Sequence, residues 1–356
     1  MSALSIPALR RLVIFPKTHR RAININRNYQ PVSHSCQFSV ATSSPTSRAG
    51  GLLGKSIDLP DGRQLGYHEF GDPNGKTIIY IHGSPDSGVT LSGFEDSLAR
   101  RLGIRWVAPD RPGIGQSTFQ PGRRVVDYPD DLSCLIQHLG LRRYRLLGTS
   151  GGTGYTLACA RIFPREELLA VGICAGIGPH EAGLAGQSEE VQAVMGYWID
   201  HSSTMVSLME SIFLAAARND DPAAMEATWR QQLEKSFNAD DREVLTKPDA
   251  IQSAVKVFRQ VHSQGGAGHG HEMKLVLEPW GFDLEEVGYD GIFLWYGSND
   301  ANTPPEMGRY MAERLPGAIY KEYSGKTHYS IWSEQLLSEF IQDLLRSNSA
   351  QPPTAS

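Results

Sequence analysis

Residues 145–155 read RLLGTSGGTGY, a hydrophobic stretch that runs directly into a serine surrounded by glycines. Glycine loses more conformational freedom on folding than any other residue, so this cluster needs a structural reason. Ser150 stands in the pattern Gly-x-Ser-x-Gly, between an apolar run typical of a buried strand and the helical pattern of residues 154–163. A turn from strand to helix holds its serine in a strained conformation and leaves no room for neighbouring side chains. The motif therefore predicts a nucleophile elbow at Ser150.

Strand and helix patterns alternate on both sides of this turn. Apolar runs without polar alternation lie at residues 76–84, 104–110 and 144–150, as expected for strands covered on both faces. Helical patterns separate these runs, and the rhythm returns at residues 291–346 after an interruption. We therefore predict an α/β fold, built on a doubly wound, mostly parallel sheet with right-handed crossovers.

The chain divides into four predicted parts. The core is expected at residues 51–178 and 289–347, and residues 179–288 read mostly as helices that we interpret as a lid inserted between two strands. The tail at residues 348–356 and the leader at residues 1–50 are expected to be disordered. The leader contains no Asp or Glu and is rich in arginine and serine. It fits a mitochondrial transit peptide or, equally, an untargeted tail.

Composition narrows the classes of function. A net charge of -5 gives no basis for nucleic-acid binding, and no apolar run approaches the ~20 residues of a membrane span. The four cysteines lack CxxC pairing and metal-ligand spacing, so we expect reduced thiols in an intracellular compartment, either mitochondrial or cytoplasmic. We expect no cofactor and no metal, because His269 and His271 stand in a glycine-rich stretch, interpreted as a flexible loop, without a third ligand. A small molecule is the expected partner, and the oligomeric state stays open.

Two further side chains are required to activate a serine hydroxyl, which by itself is a weak nucleophile. It needs a base within hydrogen-bonding reach and a carboxylate that orients the base. Asp300 follows the apolar run of residues 291–297, and His328 follows the next predicted strand. Both would emerge with Ser150 at the carboxyl edge of the sheet, where open α/β sheets place their sites. We therefore predict a catalytic triad of Ser150, Asp300 and His328.

A loop after an early strand is the candidate oxyanion hole. Attack on a carbonyl creates an oxyanion that needs two preorganised donors. Residues 80–88, YIHGSPDSG, would place the backbone N–H of Ser84 beside that of Gly151. We expect His82 and Gly83 to form the oxyanion loop, with His82 bracing it by hydrogen bonds and not acting as a base.

Taken together, these residues resemble the α/β hydrolase superfamily. The resemblance rests on the HG oxyanion loop, APDRPGIGQS at residues 108–117, GTSGG at residues 148–152, and the GSND and GKTH stretches. It extends from about Lys55 to Arg346. It implies the α/β hydrolase fold with a serine nucleophile, a histidine base, an aspartate that orients the base, and the inserted helices as a cap over the substrate.

Departures from the family pattern argue against several enzyme classes of this superfamily. Ser150 argues against epoxide hydrolases and haloalkane dehalogenases, which use an aspartate nucleophile. HGSPD in place of HGGPG argues against a proline iminopeptidase. Lipases often carry a wider glycine-rich oxyanion loop, which this chain lacks. The resemblance also implies architectural roles for Asp110, Arg111 and Gly113, and it keeps Glu181 as a weaker alternative to Asp300.

The predicted activity is that of a carboxylesterase-like serine hydrolase. It would cleave an ester, thioester or amide of a medium-sized, largely apolar small molecule through an acyl-enzyme. Two alternatives stay open. The same triad serves a carbon–carbon bond hydrolase or a tailoring enzyme of secondary metabolism, and a ligand-binding protein without catalysis could have kept the pocket.

Overall fold

The computed structural model describes residues 54–346, so the predicted leader (1–50) and tail (348–356) lie outside the described residues. An eight-stranded sheet organises this part of the chain. Its strands are β1 Lys55–Asp58, β2 Gln64–Gly71, β3 Lys76–Ile81, β4 Ile104–Pro109, β5 Tyr144–Thr149, β6 Leu168–Cys174, β7 Phe293–Gly297 and β8 Ile319–Tyr323. Their order is β1-β2-β4-β3-β5-β6-β7-β8. Strand pairs β1–β2 and β2–β4 are antiparallel and the others are parallel, which confirms the predicted sheet.

Helices connect these strands and cover both faces of the sheet. Within the described range the α-helices are α1 Phe94–Leu102, α2 Tyr128–His138, α3 Thr153–Ile162, α4 Glu189–Asp200, α5 Ser202–Ala217, α6 Pro222–Ser236, α7 Ala239–Leu245, α8 Pro248–Val261, α9 Ala267–Leu277, α10 Pro305–Ala312 and α11 Glu334–Arg346. Helices α4 to α9 follow one another between β6 and β7, and we call residues 189–277 the helical segment.

One sequence-based interpretation in the helical segment is wrong. The stretch around His269 and His271, interpreted as a flexible loop, forms the first turns of α9. A side chain at Gly268 would collide with Gly113, and one at Gly270 would collide with Val206. The glycines therefore allow α9 to approach its neighbours closely, and this packing outweighs their poor helix propensity.

Alternate residues of the central strands enter two separate hydrophobic clusters. On β3, Ile79 and Ile81 pack into a cluster that includes α2 and α3, whereas Ile78 and Tyr80 pack into a cluster that includes α1 and α11. These side chains are 0–3% exposed. Burying each of them contributes roughly 1.5–3 kcal/mol, which explains why the run carries no polar alternation.

A third hydrophobic cluster joins the helical segment to the sheet domain. Phe213 and Trp229 each lie 4.7 Å from Phe258, measured between ring centroids. Val89 and Ile114, from loops after β3 and β4, pack into the same cluster. These aromatic side chains therefore pack the helices on each other and on the core.

The described part of the chain contains three cysteines, at positions 134, 159 and 174. Cys159 and Cys174 carry free, buried thiols, as expected. Cys134 is disulfide-bonded, so the expectation of reduced thiols is wrong for this residue. No helix within residues 54–346 has the length and apolar character needed to cross a membrane.

Candidate active site

A change in strand direction places the candidate site. Strand β3 pairs with β4 on one side and with β5 on the other, so the connections that leave β3 and β5 diverge. Such a switch point opens a crevice at the carboxyl ends of the strands. The loop with Gly83 and Ser84 follows β3, and Ser150 follows β5 directly.

Ser150 occupies the strained turn that its motif predicts. Its φ is +46°, a left-handed conformation that is uncommon for residues other than glycine. A side chain at Gly148 would collide with the Thr156 hydroxyl on α3, and one at Gly152 would collide with the carbonyl oxygens of Ile81 and His82. The glycines on both sides of the serine are therefore required by packing, as the sequence predicted.

Asp300 and His328 meet at the same edge of the sheet. His328 Nδ1 lies 2.8 Å from Asp300 Oδ2. The other oxygen of this buried carboxylate accepts hydrogen bonds of 2.8 Å from the backbone N–H groups of Asn302 and Thr303. Glu181, the alternative carboxylate, is exposed and makes no hydrogen bond to His328 within the described residues. The structure thus pairs the imidazole with Asp300.

The pKa of His328 is raised above its ordinary value of 6.5. Burial opposes protonation of the ring, but the charge of Asp300 and its hydrogen bond outweigh this effect. The carboxylate of Asp241, on α7, acts in the same direction. Carboxylates from the sheet edge and from the helical segment therefore both bear on the basicity of this imidazole.

Thr303 is a member of this cluster that the sequence analysis missed. Its hydroxyl lies 2.9 Å from Asp300 Oδ2 and 3.0 Å from His328 Nδ1, and it is 2.8 Å from the carbonyl oxygen of Ala175. The sequence feature that could have indicated Thr303 is its position three residues after Asp300, where a short polar side chain can reach back to the carboxylate. Thr303 thus helps to hold the Asp300–His328 pair against the end of β6.

The structure does not bring Ser150 and His328 into a hydrogen bond. Within residues 54–346, neither Ser150 Oγ nor His328 Nε2 has a hydrogen-bond partner. Their loops are nevertheless connected, because Ile177 N–H donates to the Ser150 carbonyl oxygen at 3.2 Å, two residues after Ala175, which accepts from Thr303. Hydrogen bonds between catalytic groups are often long without substrate and shorten when it binds.

The two residues predicted for the oxyanion hole lie side by side. A side chain at Gly151 would meet Ser84 Cβ at 2.9 Å and the Ser84 backbone nitrogen at 3.2 Å. The Ser84 N–H has no acceptor among the described residues. Gly151 lies in the 3₁₀ turn Ser150–Gly152 that leads into α3, where N–H groups lack intrahelical partners. A side chain at Gly83 would stand 3.2 Å from Ser150 Cβ. Two backbone donors therefore border the serine.

Both ring nitrogens of His82 contact backbone atoms, of Gly83 on one side and of Arg111 on the other. Its Nδ1 lies 2.8 Å from the Gly83 carbonyl oxygen, and its Nε2 lies 3.2 Å from the Arg111 backbone nitrogen. Burial, reinforced by the positive charge of Arg111, lowers the pKa of His82 to about 3. The ring is therefore neutral near pH 7 and has no free nitrogen with which to act as a base.

His269 and His271 face different surroundings. His269 Nδ1 lies 3.4 Å from His262 Nε2, whereas His271 Nε2 lies 3.2 Å from the carbonyl oxygen of Arg123. No group of three His, Cys, Asp or Glu side chains within residues 54–346 is arranged to hold a metal ion. The two side chains therefore do not form a common site.

Comparison with known proteins identifies relatives. Residues 76–335 match the model of a family described as the alpha/beta hydrolase fold. A proline iminopeptidase of Xylella fastidiosa is 32% identical over 122 residues, 32% of this chain and 38% of that protein. The 2-hydroxy-6-oxononadienedioate/2-hydroxy-6-oxononatrienedioate hydrolase 2 of Pseudomonas putida is 21% identical over 307 residues, 83% of this chain and 96% of that protein. A thermophilic esterase from Thermogutta terrifontis has a similar fold, with a TM-score of 0.59 and 20% identity over 84% of this chain and 100% of its own. Several curated relatives are matched over only 15% to 38% of their length.

Proposed function

Because the chain belongs to the alpha/beta hydrolase fold family, we propose that it is a serine hydrolase that cleaves an ester, thioester or amide through an acyl-enzyme. The observation that carries the proposal is the 2.8 Å contact between His328 and a buried Asp300, at the sheet edge where Ser150 stands in a strained turn. A carboxylate that orients an imidazole at the sheet edge where a half-buried serine lies is the arrangement from which a hydroxyl can be activated.

The proposed reaction proceeds in two halves. Ser150 Oγ attacks the substrate carbonyl while His328 Nε2 takes the hydroxyl proton, and Asp300 stabilises the imidazolium through Nδ1. The backbone N–H groups of Ser84 and Gly151 donate to the oxyanion. Collapse of this intermediate breaks the bond to the leaving group, which takes the proton from His328. Water then attacks the acyl-enzyme while His328 takes one of its protons. The bond between the acyl carbon and Ser150 Oγ breaks, His328 returns the proton to Ser150 Oγ, and the acid product leaves. The cycle requires Ser150 and His328 to move into contact when substrate binds.

We assign the helical segment the role of a lid, within the insertion at residues 179–288, over a core at residues 51–178 and 289–347. Two contacts support this assignment. Phe237, at the end of α6, packs against Tyr329 with ring centroids 5.8 Å apart, and Tyr329 is the neighbour of His328. Glu272, on α9, accepts a hydrogen bond of 3.0 Å from the Ser84 hydroxyl. The lid would supply the apolar surface for a medium-sized substrate.

Covalent labelling tests the nucleophile. A fluorophosphonate probe should modify Ser150 in the folded protein, and mass spectrometry of the labelled peptide should locate it. Ser150→Ala should abolish labelling and His328→Ala should slow it strongly, whereas Ser97→Ala, at an exposed position on α1, should label like the wild type. Folded wild-type protein that resists the probe would overturn the proposal.

A series of esters with increasing acyl-chain length tests the size of the substrate. Best turnover of acetyl esters would reject a medium-sized apolar substrate.

A second candidate is carbon–carbon bond hydrolysis with the same three residues. The observation that favours it is similarity over 83% of this chain to the Pseudomonas putida hydrolase of 2-hydroxy-6-oxo dioates. Analysis of the products separates the two reactions. Hydrolysis of an ester yields an acid and an alcohol, whereas hydrolysis of a carbon–carbon bond yields an acid and a second fragment with a new C–H bond in place of a hydroxyl group. A protein that binds ligand without catalysis would keep its function in Ser150→Ala.

A further inference from the structure

Helix α9 carries a carboxylate into the interior, next to the proposed oxyanion hole. Glu272 is 2% exposed and has four partners. One carboxylate oxygen accepts from Arg111 Nε at 2.5 Å and from the Ser84 hydroxyl at 3.0 Å. The other accepts from Arg123 and, at 3.2 Å, from the Tyr155 hydroxyl. Every contact joins the helical segment to the core.

Arg111 extends this contact along the oxyanion loop. Its guanidinium is fully buried and donates to the carbonyl oxygen of His82 at 2.5 Å and to that of Gly83 at 2.7 Å. The same group donates to the Ser84 hydroxyl at 3.1 Å. Three consecutive residues of the loop are thus held by one side chain, and Glu272 in turn holds that side chain.

Two buried guanidinium groups share one carboxylate in this cluster. Arg111 and Arg123 both form ion pairs with Glu272, so the placement of both side chains depends on that residue. Burial opposes ionisation of Glu272, but the two guanidinium groups outweigh it and hold the pKa of this carboxyl well below its usual range. Removing one partner from such a buried set leaves charge uncompensated, so the geometry is strongly constrained.

We propose that Glu272 is a positioning residue for the oxyanion loop, which it holds through Arg111 and the Ser84 hydroxyl. This inference rests on the proposed function. Because Ser84 donates its backbone N–H to the oxyanion, the orientation of its side chain constrains the direction of that donor. Seating of α9 on the core is then a condition for an effective oxyanion hole, so the helical segment contributes to the reaction rate as well as to substrate binding.

The test compares three variants under conditions in which active sites are counted. Glu272→Gln removes the charge, and Ser84→Ala removes the hydroxyl but keeps the backbone donor. Glu278→Gln, directly after α9 and with a side chain 45% exposed, is the matched control. Kinetics with a chromogenic ester are normalised to sites that react with the fluorophosphonate probe. We expect kcat to fall on the order of 10- to 100-fold in Glu272→Gln, less than the 10²–10³ that loss of a whole oxyanion donor costs. KM should change less than about twofold, since ground-state contacts are retained.

A trifluoromethyl ketone inhibitor, which forms a tetrahedral oxyanion adduct with serine, separates positioning from a merely structural role. Its affinity should fall in parallel with kcat/KM in both Glu272→Gln and Ser84→Ala, while Glu278→Gln matches the wild type. Wild-type kcat per labelled site in both variants, whatever their melting temperatures, would overturn the inference. If Glu272→Gln does not fold, Ser84→Ala alone decides. Wild-type protein without labelling or turnover would instead overturn the proposed function, so the two failures are distinguishable.

Discussion

Acid should destabilise the fold through histidines that are buried in neutral form, and His269 on α9 allows the effect to be measured. This ring is 4% exposed, and burial lowers its pKa from 6.5 to about 3, with the neighbouring His262 acting in the same direction. The unfolded chain then binds a proton below about pH 6.5 that the folded chain refuses until about pH 3. Stability must therefore fall as pH drops through this window.

The magnitude follows from the width of the window. Each unit of pKa difference corresponds to about 1.4 kcal/mol, so at pH 5 this one residue should reduce the free energy of unfolding by about 2 kcal/mol relative to pH 7.5. Urea denaturation of the wild type and of His269→Gln at both pH values gives the contribution as a double difference, in which the effects of groups that do not contact His269 cancel. His201→Gln, at an exposed position in the helical segment, is the matched control.

Between pH 7.5 and pH 5 the free energy of unfolding of the wild type should fall by about 2 kcal/mol more than that of His269→Gln. The decrease in His201→Gln should equal that of the wild type. An equal loss in the wild type and His269→Gln would refute the reasoning, because it would mean that this imidazole becomes protonated in the folded protein as readily as in the unfolded chain.

Four further predictions concern the site and the packing around two glycines. The decrease of kcat/KM at acid pH should follow the raised pKa of His328, since the base must be neutral. Asp241→Asn removes a charge that raises this pKa, so the decrease should move to lower pH in a pH–rate profile. Thr303→Val removes a hydroxyl 2.9 Å from the orienting carboxylate, so kcat should fall about tenfold with KM nearly unchanged in steady-state assays. Gly148→Ala should cost about 1–3 kcal/mol in urea denaturation, because its side chain would collide with a hydroxyl of α3. Gly196→Ala, inside α4 with open space around it, should instead stabilise by about 0.5–1 kcal/mol.

Local patterns were sufficient to predict the sheet and the placement of its polar side chains. The apolar runs at β3, β4 and β5 predicted strands buried on both faces, and the structure has them in one parallel array. The glycines around Ser150 predicted a turn in which side chains cannot fit, because strand-to-helix geometry restricts neighbouring residues directly. Asp300 and His328 could be paired from sequence, because residues that follow parallel strands emerge at one edge of a sheet.

Only the tertiary structure decided which distant side chains meet in the interior. Arg111 and Glu272 are 161 residues apart, and no local pattern indicates that α9 places its carboxylate against Arg111 and the loop with Gly83 and Ser84. The stretch at Gly268 and Gly270 has a local preference against helix, yet close packing on the core makes it α9. The distance between Ser150 and His328 likewise depends on how the segments after β5 and β8 pack against each other. Periodicity and backbone sterics act within a few residues, whereas buried charge pairs and close contacts depend on the packing of whole elements.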